Sequence, residues 1–141
     1  IDFLSTPFDL EAVDFLDPLV SSFKISSSDI TNIPLLKRVA SKKKPIFFSV
    51  GASTISEIKT ALDTIRGVHP RARVTILHCV LAYPTPVRYA NLFRISALKE
   101  IFPDSRIGYS DHVLPDPGMA VVIAAWLLGA EVIEKHFTLC F

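Results

Sequence analysis

The sequence predicts an α/β protein with parallel strands joined by helices, its unit length compatible with a (β/α)8 TIM-type barrel. Three observations predict it. Short apolar runs alternate with helically spaced segments along all 141 residues, and parallel strands need such crossovers. Several runs, residues 45–50 above all, are apolar at nearly every position, which signals burial on both faces. Polar, reactive residues then recur in or just after the runs: Ser5 and Thr6; Lys24 and Ser27; Ser49; His78; Ser110 and His112; Glu134 and His136. The C-terminal rim of the strands is where α/β barrels do chemistry. A doubly wound open sheet is the competing architecture, and no glycine-rich dinucleotide fingerprint follows any strand.

Taken in order, residues 3–7 read as a short strand ending in a polar turn. Leu10, Val13 and Leu16 share one face of a helix over 10–16, which Asp17-Pro18 ends because the residue before proline is pushed out of the helical region. A strand at 23–25 runs into Ser26-Ser27-Ser28-Asp29. A helix follows over 33–41 with Pro34 in its first turn, where proline is tolerated. After the strand at 45–50, Thr54 and Glu57 have capping-box spacing and open a helix to about residue 66. The strand at 74–79 exits into the loop Tyr83-Pro84-Thr85-Pro86. A helix over 92–101, a strand at 107–112, an apolar helix over 118–128 closed by Gly129, and a strand at 132–137 complete six strands and five helices.

With 50% hydrophobic residues and a formal net charge of +1, the chain is one globular domain, 1–141, with a substantial core. The weak charge argues against nucleic-acid binding. Lys42-Lys43-Lys44 is expected to cap a helix end in solvent. Two cysteines, Cys79 and Cys140, make no disulfide framework, which favours a reducing, cytoplasmic compartment. The apolar run 118–130 is too short to span a bilayer, which takes about 20 residues. Neither chain end reads as a domain boundary.

Ser110 and His112 are two apart and share a strand face, as do Glu134 and His136. On parallel neighbours about 4.8 Å apart, the two histidines can reach one ion or one substrate. With oxygens from water, substrate or Glu134 they suit Mn²⁺ or a similar divalent ion; strand histidines also serve as hydrogen-bonded rim residues. Lys24, Ser27, Ser49 and Ser110 combine a point charge with neutral donors, a recipe for a phosphate; serines after strands also form turns. Lys24 is the most telling, since a lysine within a strand needs a partner. Asp29 either holds a substrate group or caps the following helix, the cap being favoured. Tyr83 covers the site or packs its loop. His78 is expected to be structural, and His69 solvated.

The motifs Phe3-Leu4-Ser5-Thr6-Pro7-Phe8, Phe23-Lys24-Ile25-Ser26-Ser27-Ser28-Asp29, Leu77-His78-Cys79, Tyr83-Pro84-Thr85-Pro86, Ile107-Gly108-Tyr109-Ser110-Asp111-His112 and Glu134-Lys135-His136-Phe137-Thr138 resemble, in order and spacing, the N-acetylneuraminate (sialic acid) synthase family. The resemblance covers the whole chain. It implies a (β/α)8 barrel, here about strands 3 to 8, and a transferase that condenses phosphoenolpyruvate with an N-acetylated hexosamine such as N-acetylmannosamine, releasing phosphate. It matches His112 and His136 to metal ligands (Mn²⁺, with Mg²⁺ or Co²⁺ as alternatives), and Thr6, Lys24, Ser27, Ser49 and Ser110 to the phosphoenolpyruvate site. Asp29 and Tyr83 match sugar-side positions. Glu134 is a candidate for orienting water or moving a proton, giving a catalytic set of Glu134, His112 and His136.

The implied reaction has the enolpyruvate carbon attack the sugar aldehyde, water add to the resulting cation, and phosphate leave by C–O cleavage. Full-length members of the family are homodimers with a C-terminal antifreeze-like domain. That domain, the first two barrel strands and the segment after the eighth are not represented here, so the isolated chain is expected to be nearly inactive. Leu81 stands where a polar residue is common, and Cys140 where aspartate is usual. Synthases of legionaminic, pseudaminic or 9-phosphorylated products are alternatives, as is a non-catalytic barrel fragment that only binds phosphate or metal.

Overall fold

The computed structural model of the chain describes residues 1–139, so Cys140 lies outside the described residues. There are two compact units, Ile1–Thr75 and Ile76–Phe141. The strands follow one another in the sheet in sequence order, without a reversal.

In the first unit, residues 3–7 form no strand, a correction to the sequence reading. The Lys24 N–H reaches the Ser5 carbonyl at 3.5 Å, the outer limit of a hydrogen bond, and Pro7 has no N–H to extend a ladder. Five strands therefore stand among the described residues where six were expected.

Helix α1 (Leu10–Leu16) is capped by Asp9, whose carboxylate accepts the Ala12 N–H at 2.7 Å. It buries Val13 and Leu16, but Leu10 is exposed. A seven-residue helix presents a narrow stripe, and Leu10 lies at its open end. The helix stops where expected, yet Asp17 keeps helical angles (φ −50°, ψ −50°) and bonds to the Val13 carbonyl. The stop comes from the N–H that Pro18 lacks, not from a change at the residue before it.

Strand β1 (Phe23–Ile25) is buried throughout. Helix α2 (Ile33–Ser41) is capped by Asn32, whose side chain accepts the Leu35 N–H at 3.2 Å. Asp29 is therefore not the cap. Strand β2 (Ile46–Ser49) pairs in parallel with β1, Lys24 opposite Phe47. Helix α3 (Ile55–Val68) opens on the expected Thr54–Glu57 capping box, buries Ile58, Ala61, Leu62 and Ile65, and lies against α2.

The lysine run does more than sit in solvent. Lys42 Nζ lies 2.8 Å from Asp14 and 3.3 Å from Asp17, Lys44 Nζ lies 2.8 Å from Asp17, and Arg38 pairs with Asp14. Together they tie α1 to α2. The bond from Arg38, then that from Lys42, holds the Asp14 carboxyl down at about 2, from an ordinary 3.8. A lowered carboxylate pKa stabilises the fold above its unfolded value and ceases to do so as pH falls through the folded one. Carbon-detected NMR of Asp14 is expected to titrate near pH 2, moving towards 3.8 in Arg38→Gln. An unchanged midpoint in that variant rules the pairing out as the cause.

Strand β3 (Val74–His78) is fully buried. Within the second unit a loop with a 3₁₀ turn (Val87–Tyr89) leads to α4 (Phe93–Ile101). Strand β4 (Arg106–Asp111) follows, then α5 (Ala120–Leu127) and β5 (Ile133–Lys135). Gly129, at φ +98°, makes the left-handed turn that ends α5. Strands β4 and β5 are parallel, with Ser110 opposite Glu134 and Asp111 opposite Lys135. Strand β4 begins and ends one residue earlier than expected and β5 is shorter, which places His112 and His136 just past the strand ends. No described helix is long and apolar enough to cross a membrane.

Candidate functional site

In the first unit, Lys24 is a buried lysine of β1, and its Nζ donates to Ser49 Oγ at 2.8 Å and to the Ile25 carbonyl at 3.5 Å. The parallel pairing of β1 and β2 brings the two residues together. A buried ammonium beside a hydroxyl attracts an anion, since Ser49 can turn its own proton outward while its lone pair faces the lysine. Ser27 and Asp29 lie half-buried in the turn directly after β1, and Thr6 in the extended segment beside Lys24. Asp29 accepts Ser28 Oγ at 3.0 Å. With Asn32 as the cap, the carboxylate of Asp29 is not tied up in starting α2.

In the second unit, five predicted residues meet. Ser110 Oγ donates to Glu134 Oε1 at 2.5 Å and lies 3.4 Å from His112 Nε2. The His112 and His136 ring centres are 5.4 Å apart. Tyr83 lies 4.1 Å from the His112 ring and 6.0 Å from that of His136. Burial, then charge on Cys79 and Glu134, raises the Tyr83 phenol above its ordinary range, so it stays a neutral donor. Tyr83 thus lies against both histidine rings.

The proton on His112 follows from its partners. Nδ1 lies 2.8 Å from the Val80 carbonyl, which can only accept, so Nδ1 carries the hydrogen. Ser110 spends its proton on Glu134. The Nε2 lone pair is then left for an external group, the state an imidazole needs to ligate a metal. The residues present fit a divalent ion in this respect. Among the described residues no group of three or more His, Cys, Asp and Glu side chains could hold an ion, so the two imidazoles need further ligands from water or substrate.

His78 is structural, as expected. It is fully buried, Nε2 bonds the Ala90 carbonyl at 2.8 Å, and burial lowers its pKa. Thr85 was not singled out from sequence. It is buried, its N–H donates to the His112 carbonyl at 2.8 Å and its hydroxyl to the Ala82 carbonyl at 2.8 Å. These bonds hold the Tyr83 loop against His112. No sequence pattern marks such a role, because the partners are main-chain atoms.

Helix-linked parallel strands, ending in one unit in a lysine–serine pair and in the other in an imidazole–carboxylate cluster, place the chain in the α/β class. Comparison with known proteins narrows that class. The profile of the NeuB family matches residues 1–140, and the chain belongs to that family. It is 46% identical over 99% of its length to N,N'-diacetyllegionaminic acid synthase of Campylobacter jejuni, covering 41% of that protein. It is 38% identical over 99% of its length to N-acetylneuraminate-9-phosphate synthase of Drosophila melanogaster, covering 37%. The crystal structure of N-acetylneuraminic acid (sialic acid) synthetase from Leptospira borgpetersenii serovar Hardjo-bovis superposes with a TM-score of 0.90 at 38% identity, over 99% of this chain and 47% of that one. The chain thus spans about two fifths of the length of the curated relatives.

Proposed function

We propose that this chain is the central part of a (β/α)8 barrel of a nonulosonic acid synthase, which joins phosphoenolpyruvate to an N-acetylated hexosamine. Strand order without a reversal supports the barrel over a doubly wound sheet. The observation that carries the activity is the His112 tautomer, fixed by Val80 with Nε2 left open toward the Ser110–Glu134 pair.

In the first unit, Lys24 and Ser49 hold the phosphoenolpyruvate anion, with Ser27 and Thr6 as further donors, and Asp29 takes an acceptor-sugar group. In the second, His112 and His136 hold a divalent ion, Mn²⁺ for preference, which supplies Lewis-acid activation of the sugar aldehyde. Glu134 accepts a proton from, or orients, the water that ends up on the product, and Ser110 fixes its carboxylate. Tyr83 lies over the His112 ring and donates to the sugar. One carbon–carbon bond forms, one water is consumed and phosphate leaves. A cytoplasmic homodimer is the natural state of the whole enzyme.

A legionaminic-type acceptor is the second reading, favoured by 46% identity to a legionaminic acid synthase against 38% to an N-acetylneuraminate-9-phosphate synthase. The test of the anion site is calorimetric titration with phosphoenolpyruvate. Lys24→Met is expected to weaken binding roughly 10–100-fold, the worth of one hydrogen bond to a charged group. Wild-type affinity in that variant would remove Lys24 from the site.

A further inference from the structure

Strands β4 and β5 carry two facing pairs, one on each side of the sheet. Ser110 and Glu134 bond on the side of the histidines. One residue along, Asp111 and Lys135 face each other on the opposite side. Lys135 Nζ lies 2.5 Å from Asp111 Oδ2 and donates to the Val113 carbonyl at 2.7 Å. Asp111 Oδ1 accepts the Tyr109 hydroxyl at 3.0 Å and the Val113 N–H at 2.9 Å. Asp111 is 2% exposed and the Lys135 side chain 16%. The proposed reaction does not use this pair.

We propose that Asp111 and Lys135 are positioning residues that set the strand register and the turn on which His112 sits. His112 is the middle residue of the turn that the Asp111–Val113 bond closes, and Lys135 grips both ends of that turn. His136 follows Lys135 directly. Side chains alternate along a strand, so a slip of one residue would turn Glu134 off the histidine side and bring Lys135 onto it. Buried ion pairs add little net stability over neutral replacements, yet they can specify register. The pair thus fixes the separation of the two imidazoles through its geometry.

The inference rests on the proposed metal site for one of its two readouts and is independent of it for the other. The variants are Lys135→Met, the double variant Asp111→Asn/Lys135→Met, and the charge-keeping Lys135→Arg, each in the full chain. The first readout, without metal, is the nuclear Overhauser contact between the His112 and His136 rings. The second is Mn²⁺ affinity by electron paramagnetic resonance. The double variant is expected to unfold cooperatively at close to the wild-type temperature while losing the ring contact and binding Mn²⁺ roughly 10–100-fold more weakly, the usual cost of losing an outer partner. Lys135→Arg is expected to keep both. A double variant that retains the ring contact overturns the proposal, and one that no longer unfolds cooperatively assigns the pair to stability alone and overturns it too. If wild-type protein shows the ring contact but binds no Mn²⁺, the metal reading fails while the register role still stands or falls on the contact.

Discussion

Replacing His112 with alanine is expected to abolish saturable Mn²⁺ binding at concentrations that fill the wild-type protein, a loss of at least about 100-fold. That exceeds the 10–100-fold typical of losing an outer-shell partner, because a ligand itself is removed. His112 is the better-anchored of the two imidazoles. Val80 fixes its tautomer and Thr85 holds its carbonyl, so its lone pair is prepaid in orientation. His136→Ala is expected to give a similar loss, since the described residues offer no third side chain to replace it. The measurement is a Mn²⁺ titration of wild type and both variants, with unfolding curves as a control on folding. Saturable binding of wild-type strength in either variant would place the ion elsewhere, and no binding to folded wild type would refute the metal reading for this chain.

Gly108→Ala is expected to destabilise the protein by about 3 kcal/mol, at the upper end of overpacking costs. A Cβ at Gly108 would lie 2.5 Å from Leu77 Cδ2, 2.6 Å from the Val132 carbonyl oxygen and 3.1 Å from Val132 Cβ. The leucine tip can swing away. The carbonyl cannot move freely, because it accepts the Tyr109 N–H at 2.8 Å on the path into β5. Relief therefore requires β5 to back away from β4, which also parts Ser110 from Glu134. Urea unfolding gives the stability change, and a loss under 1 kcal/mol would mean that the chain before β5 yields easily. This glycine was visible in the sequence as part of a motif, but nothing local announced that it answers to Val132.

Much of the architecture was legible because it is local. The capping box at Thr54, the boundaries of α2 around Pro34, and the buried strands at 46–49 and 74–78 follow from side chains interacting within a few residues of themselves. The approach of His112 to His136 was also legible. Parallel neighbours with period-two side chains leave few other arrangements.

The misreadings share a cause. Residues 3–7 have strand composition, yet a strand exists only if a neighbour supplies its ladder. Asp29 and Asn32 are both good caps by type, and the chain's path into α2 chose between them. The lysine run looked like a solvated end until α1 brought Asp14 and Asp17 to it. Tertiary structure alone decided which proton His112 carries, that Thr85 braces it, and that Asp111 and Lys135 meet behind it. The sequence by itself determined the alternation of elements and the residue types at the strand ends, since hydrophobic period and residue type are properties of short stretches. Tautomer, register and close approach depend on main-chain atoms 20 or more residues away, between His112 and Val80 or Gly108 and Val132, and only the folded chain brings those together.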